Sequence, residues 1–282
     1  MKTYALITEG FGHGFASLNL AAVNNLLPVA FSIKEDEESF TTEVNQIYNN
    51  LVAFAPQMLK ATWADRETFL TQGWNVRADL IAGNISSEMW QKFANHKLTA
   101  EGNNLPQFCG LNGNHNILFV PQKLKSDGMC GLSANNQSLP LEIFEFLKNG
   151  SSQLVLGQHF HKVNDLDTVK TLAENFNLYV PGMTEDESVF GIRGVRHINY
   201  RNLYRQLNGS VGIAGTHTWI MLTCFPEIPQ IILFNNKGIE RWKEIEKAYQ
   251  AAGYPVYCLG FDEETNLQEY AQEIEKLYSQ LF

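Results

Sequence analysis

Between residues 116 and 281 short apolar runs alternate with longer amphipathic stretches, and this alternation constrains the fold more than any other feature. The runs are NILFV at 116–120, QLVL at 153–156, NLYV at 177–180, SVGI at 210–213, QIILF at 230–234 and PVYCL at 255–259. Each is apolar along most of its length, as strands covered on both faces are. Between them, 139–148, 165–175, 200–207, 218–225, 239–251 and 264–281 carry apolar residues at helical spacing. Parallel strands need a crossover between them, and a helix is the usual one. The pattern therefore predicts a parallel sheet clothed by helices.

The first half repeats the pattern more faintly. A run at 4–8 (YALIT) ends in the glycine cluster EGFGHG, helical spacing follows to about residue 27, and PVAFSI at 28–33 reads as a second strand. A helix is expected over 42–59, while 60–113 shows no clear period; Trp63, Trp74 and Trp90 within it suit a core. A length of 282 residues lies where one large domain gives way to two. The expected fold class is α/β, with two Rossmann-like domains facing across a cleft and the N-terminal one reduced. Residues 1–113 form the first domain and 114–263 the second, with 264–282 a terminal helix that crosses back to the first. Open parallel sheets bind ligands beyond the carboxyl ends of their strands, so the residues just after each strand matter most.

Charge and cysteine usage narrow the function. With 21 Lys+Arg against 30 Asp+Glu the net charge is −9, which lacks the broad basic field of a nucleic-acid coat and leaves nucleic acid a disfavoured partner. The four cysteines show no C-x-x-C pairing and read as reduced thiols, which points to the cytoplasm. The opening MKTYALITEGFGHG breaks into glycines too early for a secretory signal. No apolar run approaches the ~20 residues that a membrane span needs.

Four strand ends carry chemistry-bearing residues. Glu9, Gly12, His13 and Gly14 follow the first strand, where glycines admit a ligand and a helix start attracts anions. The spacing is G-x-G-x-G, not the dinucleotide G-x-G-x-x-G. Gly215, Thr216 and His217 follow SVGIA and offer N–H groups, a hydroxyl and an imidazole at a helix start, although Thr216 also suits a plain helix cap. Lys123 and Lys125 follow NILFV, and Gln158 and His159 follow QLVL. Arg196 adds a guanidinium suited to phosphate. No histidine, cysteine or carboxylate cluster has metal-ligand spacing, so no metal site is expected.

Two segments resemble the GT-B glycosyltransferases. GHGFASLNLA at 12–21 is similar to the opening of the peptidoglycan N-acetylglucosaminyltransferases, with His13, Phe15, Leu18 and Ala21 in register and Ala16 where those enzymes carry proline. SVGIAGTHTWIMLTCFPEIPQ at 210–230 resembles the donor segment of heptosyltransferase-like enzymes, with Ala214-Gly215-Thr216-His217 replacing an Asp-Thr-Gly turn. The resemblance implies a metal-independent, inverting glycosyltransferase without a cofactor, in which a nucleotide sugar is the substrate and the acceptor is unidentified. It implies that His13, or Glu9 in its place, takes the proton of the acceptor hydroxyl. Gly12, Gly14, Lys123, Lys125, Gln158, His159, Arg196, Gly215, Thr216 and His217 would then contact the donor. Two alternatives stand beside it: an NAD(P)-binding oxidoreductase, from Gly10-x-Gly12 and Asp36 after the second strand, and a module that binds a nucleotide sugar without turnover.

Overall fold

A computed structural model describes residues 2–8, 11–31, 45–61, 65–100, 111, 115–122, 129–132, 137–157, 176–179 and 201–282. In chain order the first half contains β1 (Tyr4–Ile7), α1 (Phe11–Val23), β2 (Leu27–Ala30), α2 (Asn45–Leu51), β3 (Leu59–Lys60), α3 (Arg66–Gln72), β4 (Gly73–Asn75), α4 (Val76–Ala82) and α5 (Ser87–Ala94). The second half contains β5 (Asn116–Val120), β6 (Met129–Leu132), β7 (Gln137–Pro140), a 3₁₀ helix (Leu141–Asn149), β8 (Gln153–Leu156), β9 (Leu178–Tyr179) and α6 (Arg201–Tyr204). It continues with β10 (Gly209–Ile213), α7 (Thr216–Cys224), β11 (Gln230–Asn235), α8 (Ile239–Ala251), β12 (Val256–Phe261) and α9 (Leu267–Leu281).

Two parallel sheets result. The smaller has the order β3-β2-β1-β4, and the larger β12-β11-β10-β5-β8-β9; β6 and β7 form a separate antiparallel hairpin. Numbered within itself, the larger sheet reads 6-5-4-1-2-3, the doubly wound Rossmann order, and the smaller reads 3-2-1-4. The architecture is thus a two-sheet, Rossmann-like α/β arrangement with a smaller first sheet. In the larger sheet the order reverses between β5 and β10, whose register pairs Val120 with Gly212.

Strand alternation sorts the core into layers. Leu6 faces an outer cluster with Val29, Phe31 and Ala61, while Ala5 and Ile7 face inward. In β5, Leu118 and Val120 face inward, whereas Ile117 and Phe119 face an outer cluster with Phe144, Tyr270 and Ile274. The inward faces of both sheets meet one shared layer of helices, α1 and α7 with α5 and α8, instead of two separate cores. Buried Asn19 on α1 fastens that layer: its Nδ2 donates to the carbonyls of Phe93 at 3.1 Å and His96 at 3.2 Å. Trp90 stacks on Trp219 at 6.4 Å, which joins α5 to α7 across the halves.

Several elements depart from expectation. α1 begins at Phe11, not near residue 15, so Gly12, His13 and Gly14 form its first turn and not an open loop. It also ends earlier, because Asn25 turns the chain with φ 53° and Leu27 already pairs in β2. Leu59 pairs in the edge strand β3, which shortens the expected 42–59 helix. Leu139 and Pro140 pair with β6, so the helix expected at 139–148 is a 3₁₀ segment from Leu141. The terminal helix α9 lies on the larger sheet, with Tyr270 and Ile274 in its outer cluster and Phe282 against Gly209, instead of crossing back to the first half. Its apolar face already has a sheet to cover. The helix expected at 165–175 lies outside the described residues.

Candidate functional site

Every parallel strand that feeds a helix presents that helix's N-terminus at the sheet's carboxyl edge. Three such N-termini line one cavity of about 790 Å³: Gly12 and His13 of α1, Gly215 and Thr216 of α7, and Gly238 to Arg241 of α8. Gln122 after β5, Phe234 and Asn235 ending β11, Lys237 and Trp242 complete much of the wall. Leading N–H groups of a helix lack intrahelical acceptors and carry the positive end of its dipole. The arrangement therefore favours anions. Ile81 and Ile239, 58% and 44% exposed, stand at the lining as apolar residues open to solvent.

The glycines have specific steric reasons. A Cβ on Gly12 would lie 2.8 Å from the Thr216 Cα, so only glycine lets the starts of α1 and α7 touch. At Gly215 a Cβ would collide with the Gln122 amide. That amide donates from Nε2 to the Ala214 carbonyl at 2.5 Å, tying the end of β5 to the end of β10 where the strand order reverses. Gln122 itself sits in the left-handed region at φ 67°. The Gly215 N–H donates to Thr218 Oγ1 at 3.0 Å, which fixes the first turn of α7.

His13 is half-buried, with its ring 6.0 Å from that of Trp219. Its pKa falls from 6.5 to about 4, chiefly through burial, with the charges of Arg77 and Arg241 adding to the effect. The imidazole is therefore neutral at pH 7, able to donate from one nitrogen and accept at the other. Arg241 lies with Cζ 5.3 Å from the Trp242 ring and donates from Nη1 to the Leu80 carbonyl at 2.8 Å. Burial lowers its own pKa as well. Trp242 stacks between Phe234 at 6.0 Å and Trp219 at 5.4 Å, forming an aromatic floor beside these cations.

Of the residues singled out in sequence, Gly12, His13, Gly215 and Thr216 come together in this cavity. Gly14 faces the other way, where a Cβ would stand 2.7 Å from Leu51 Cδ1, so its role is helix packing. His217 is interior at 2% exposure, and its Nδ1 bonds Tyr204 Oη at 2.5 Å. It supports the base of α7 and does not face the cavity lining. Glu9, Lys123, Lys125, Gln158, His159 and Arg196 lie outside the described residues. Sequence reasoning missed Gln122, Lys237, Arg77 and Arg241. A cation one turn into the helix after β11 was a readable signal for Arg241, by the same logic applied to Thr216.

No family model matches this chain, and neither a curated protein nor a solved structure is found that is similar to it. Among the described residues, no group of three or more His, Cys, Asp or Glu side chains is placed to hold a metal ion. Among them, too, no helix is long and apolar enough to cross a membrane.

Proposed function

We propose that the chain is a nucleotide-sugar-dependent glycosyltransferase of the GT-B kind, with the donor diphosphate in this cavity. The observation that carries the reading is the meeting of α1, α7 and α8 by their N-termini at the carboxyl edge of β10 and β11, beside the strand-order reversal. A diphosphate leaving group needs positive potential where charge develops, and oriented N–H groups with nearby guanidinium supply it without a metal. The donor would belong mainly to residues 114–263 and the acceptor to 1–113.

In this reading the acceptor hydroxyl forms its bond to the anomeric carbon as the bond from that carbon to the diphosphate oxygen breaks. His13 accepts the hydroxyl proton at its unprotonated ring nitrogen, with inversion at the anomeric carbon, and Glu9 is the substitute base. Thr216 and the start of α7 hold the departing diphosphate, joined by Lys123 and Lys125. Gln158, His159 and Arg196 contact the nucleotide, and the enzyme works in the cytoplasm. A base held near pKa 4 is weak in the free protein. An anion beside Arg77 and Arg241 offsets their charges and raises the pKa, so a bound anionic substrate prepares the base.

That same weak base favours a second reading, a module that binds nucleotide sugar without turnover. An oxidoreductase is less suited, because Gly12 is spent on the contact with Thr216 and Gly14 on Leu51. A panel of nucleoside diphosphates and nucleotide sugars separates these readings. A ligand at 100 times its Kd stabilises the fold by about 2.7 kcal/mol, seen as a raised melting temperature. Donor hydrolysis or transfer that persists in EDTA supports the transferase. Binding with no turnover supports the module, and stabilisation by NAD(P) alone overturns both.

A further inference from the structure

Two arginines near the cavity have no counter-charge among the described residues. Arg77 stands in the first turn of α4, in the first half, and Arg241 in the first turn of α8, in the second; both act on His13. The Nε atoms of both guanidinium groups are buried with no hydrogen-bond partner. Among the described residues no carboxylate forms an ion pair with either. Asp79, two residues from Arg77, is engaged instead by Trp74 Nε1 at 2.5 Å and Asn84 Nδ2 at 3.2 Å. Glu240 is the carboxylate in the cavity lining, and it too makes no ion pair with them.

Like charges drawn partly out of water repel, and each loses hydration that an unpaired site does not return. A guanidinium fork matches a carboxylate or phosphate through two parallel hydrogen bonds. These forks sit on α4 and α8, whereas the diphosphate is assigned to the start of α7, and the cavity has volume for more than a diphosphate. We infer that the cavity takes a second anionic group, a carboxylate or phosphate monoester on the transferred sugar or on the acceptor, held by Arg241 in the cavity wall with Arg77 adding positive charge beside His13. The inference rests on the donor reading for the neighbouring diphosphate. It names the substrate class as charged sugars.

The test uses the full chain with D-glucuronate, D-glucose 6-phosphate and neutral D-glucose, each followed through the His13 ring resonances by NMR. At least one charged sugar is expected to bind tenfold or more tightly than glucose. Arg241→Gln should remove most of that preference and Arg77→Gln part of it, with Arg241→Lys keeping some, in samples whose thermal melts show an intact fold. Equal binding of charged and neutral sugars overturns the inference, as does a preference that survives replacement of both arginines. Binding of nucleoside diphosphates is measured on the wild-type chain: its absence there with the charged-sugar preference present discards the donor reading and supports the subsite, and its presence without the preference discards the subsite alone. A charged sugar that binds alongside the diphosphate but is displaced by a nucleotide sugar belongs to the donor. One that neither displaces belongs to the acceptor.

Discussion

His13 makes the stability of the fold depend on pH in a calculable way. Its pKa is about 4 in the folded chain against 6.5 for a free imidazole. Between those values the unfolded chain binds more protons than the folded one, so stability falls as pH falls through the window and levels off below about 4. Each tenfold change in ionisation is about 1.4 kcal/mol, which makes the full effect about 3 kcal/mol and the part lost between pH 7 and pH 4.5 about 2 kcal/mol. Carboxylates titrate nearby in pH, so the wild type alone does not isolate this contribution. His13→Gln does, because the amide keeps a polar side chain of similar reach and does not ionise. Urea unfolding of both proteins at pH 7, 6, 5 and 4.5 should show the wild type losing about 2 kcal/mol more than the variant across the series. Arg241→Gln should raise the His13 midpoint only in part, since burial is the larger cause. Parallel stability curves for wild type and His13→Gln would refute the burial argument and with it the neutral imidazole.

Replacing His13 by alanine should lower turnover by about 10²- to 10⁴-fold while nucleotide affinity stays within about twofold, checked by steady-state kinetics and calorimetry. Gly12→Ala should destabilise the fold by about 1–3 kcal/mol, because the added carbon meets Thr216 backbone at 2.8 Å and neither helix can step back without losing its packing; chemical denaturation measures it. Turnover should be unchanged by EDTA, since positive charge at the cavity comes from Arg241, Lys237 and helix starts. Complete loss restored by Mg²⁺ or Mn²⁺ would contradict that assignment.

What was legible in sequence follows from what each residue answers to. β5, β8, β10 and β11 match their apolar runs to within a residue because strands buried on both faces show it locally. α8 matches at 239–251, where Trp242, Ile245, Ala248 and Tyr249 mark one buried face. The start of α1 was illegible: Gly12 and Gly14 look like a turn, and only the distant Thr216 and Leu51 explain why they belong in a helix. α7 is buried from His217 to Cys224, so its start carried little helical period to read. The stretch after residue 60 hid because β4 has three residues set between two seven-residue helices, too few for any period to register. Arg77 was lost with it. The site was thus half readable: the residues tied to strand ends appeared, and the guanidinium groups supplied by neighbouring helices did not.

The common helical layer decides how a substrate gets in. Two lobes that each own a core can swing apart on a linker, exposing little at the hinge. Here such a swing would drag Trp219 from Trp90 and strip Asn19 of the carbonyls of Phe93 and His96. It would also wet Leu118, Val120, Ile220 and Met221 together with Ile7, Phe15 and Leu18. At about 1.5–3 kcal/mol for each large side chain returned to water, wide opening costs as much as unfolding. Entry therefore belongs to the rim. Ile81 and Ile239 are the large apolar side chains exposed there, and the rate at which ligand leaves should follow their size more closely than any motion between the halves.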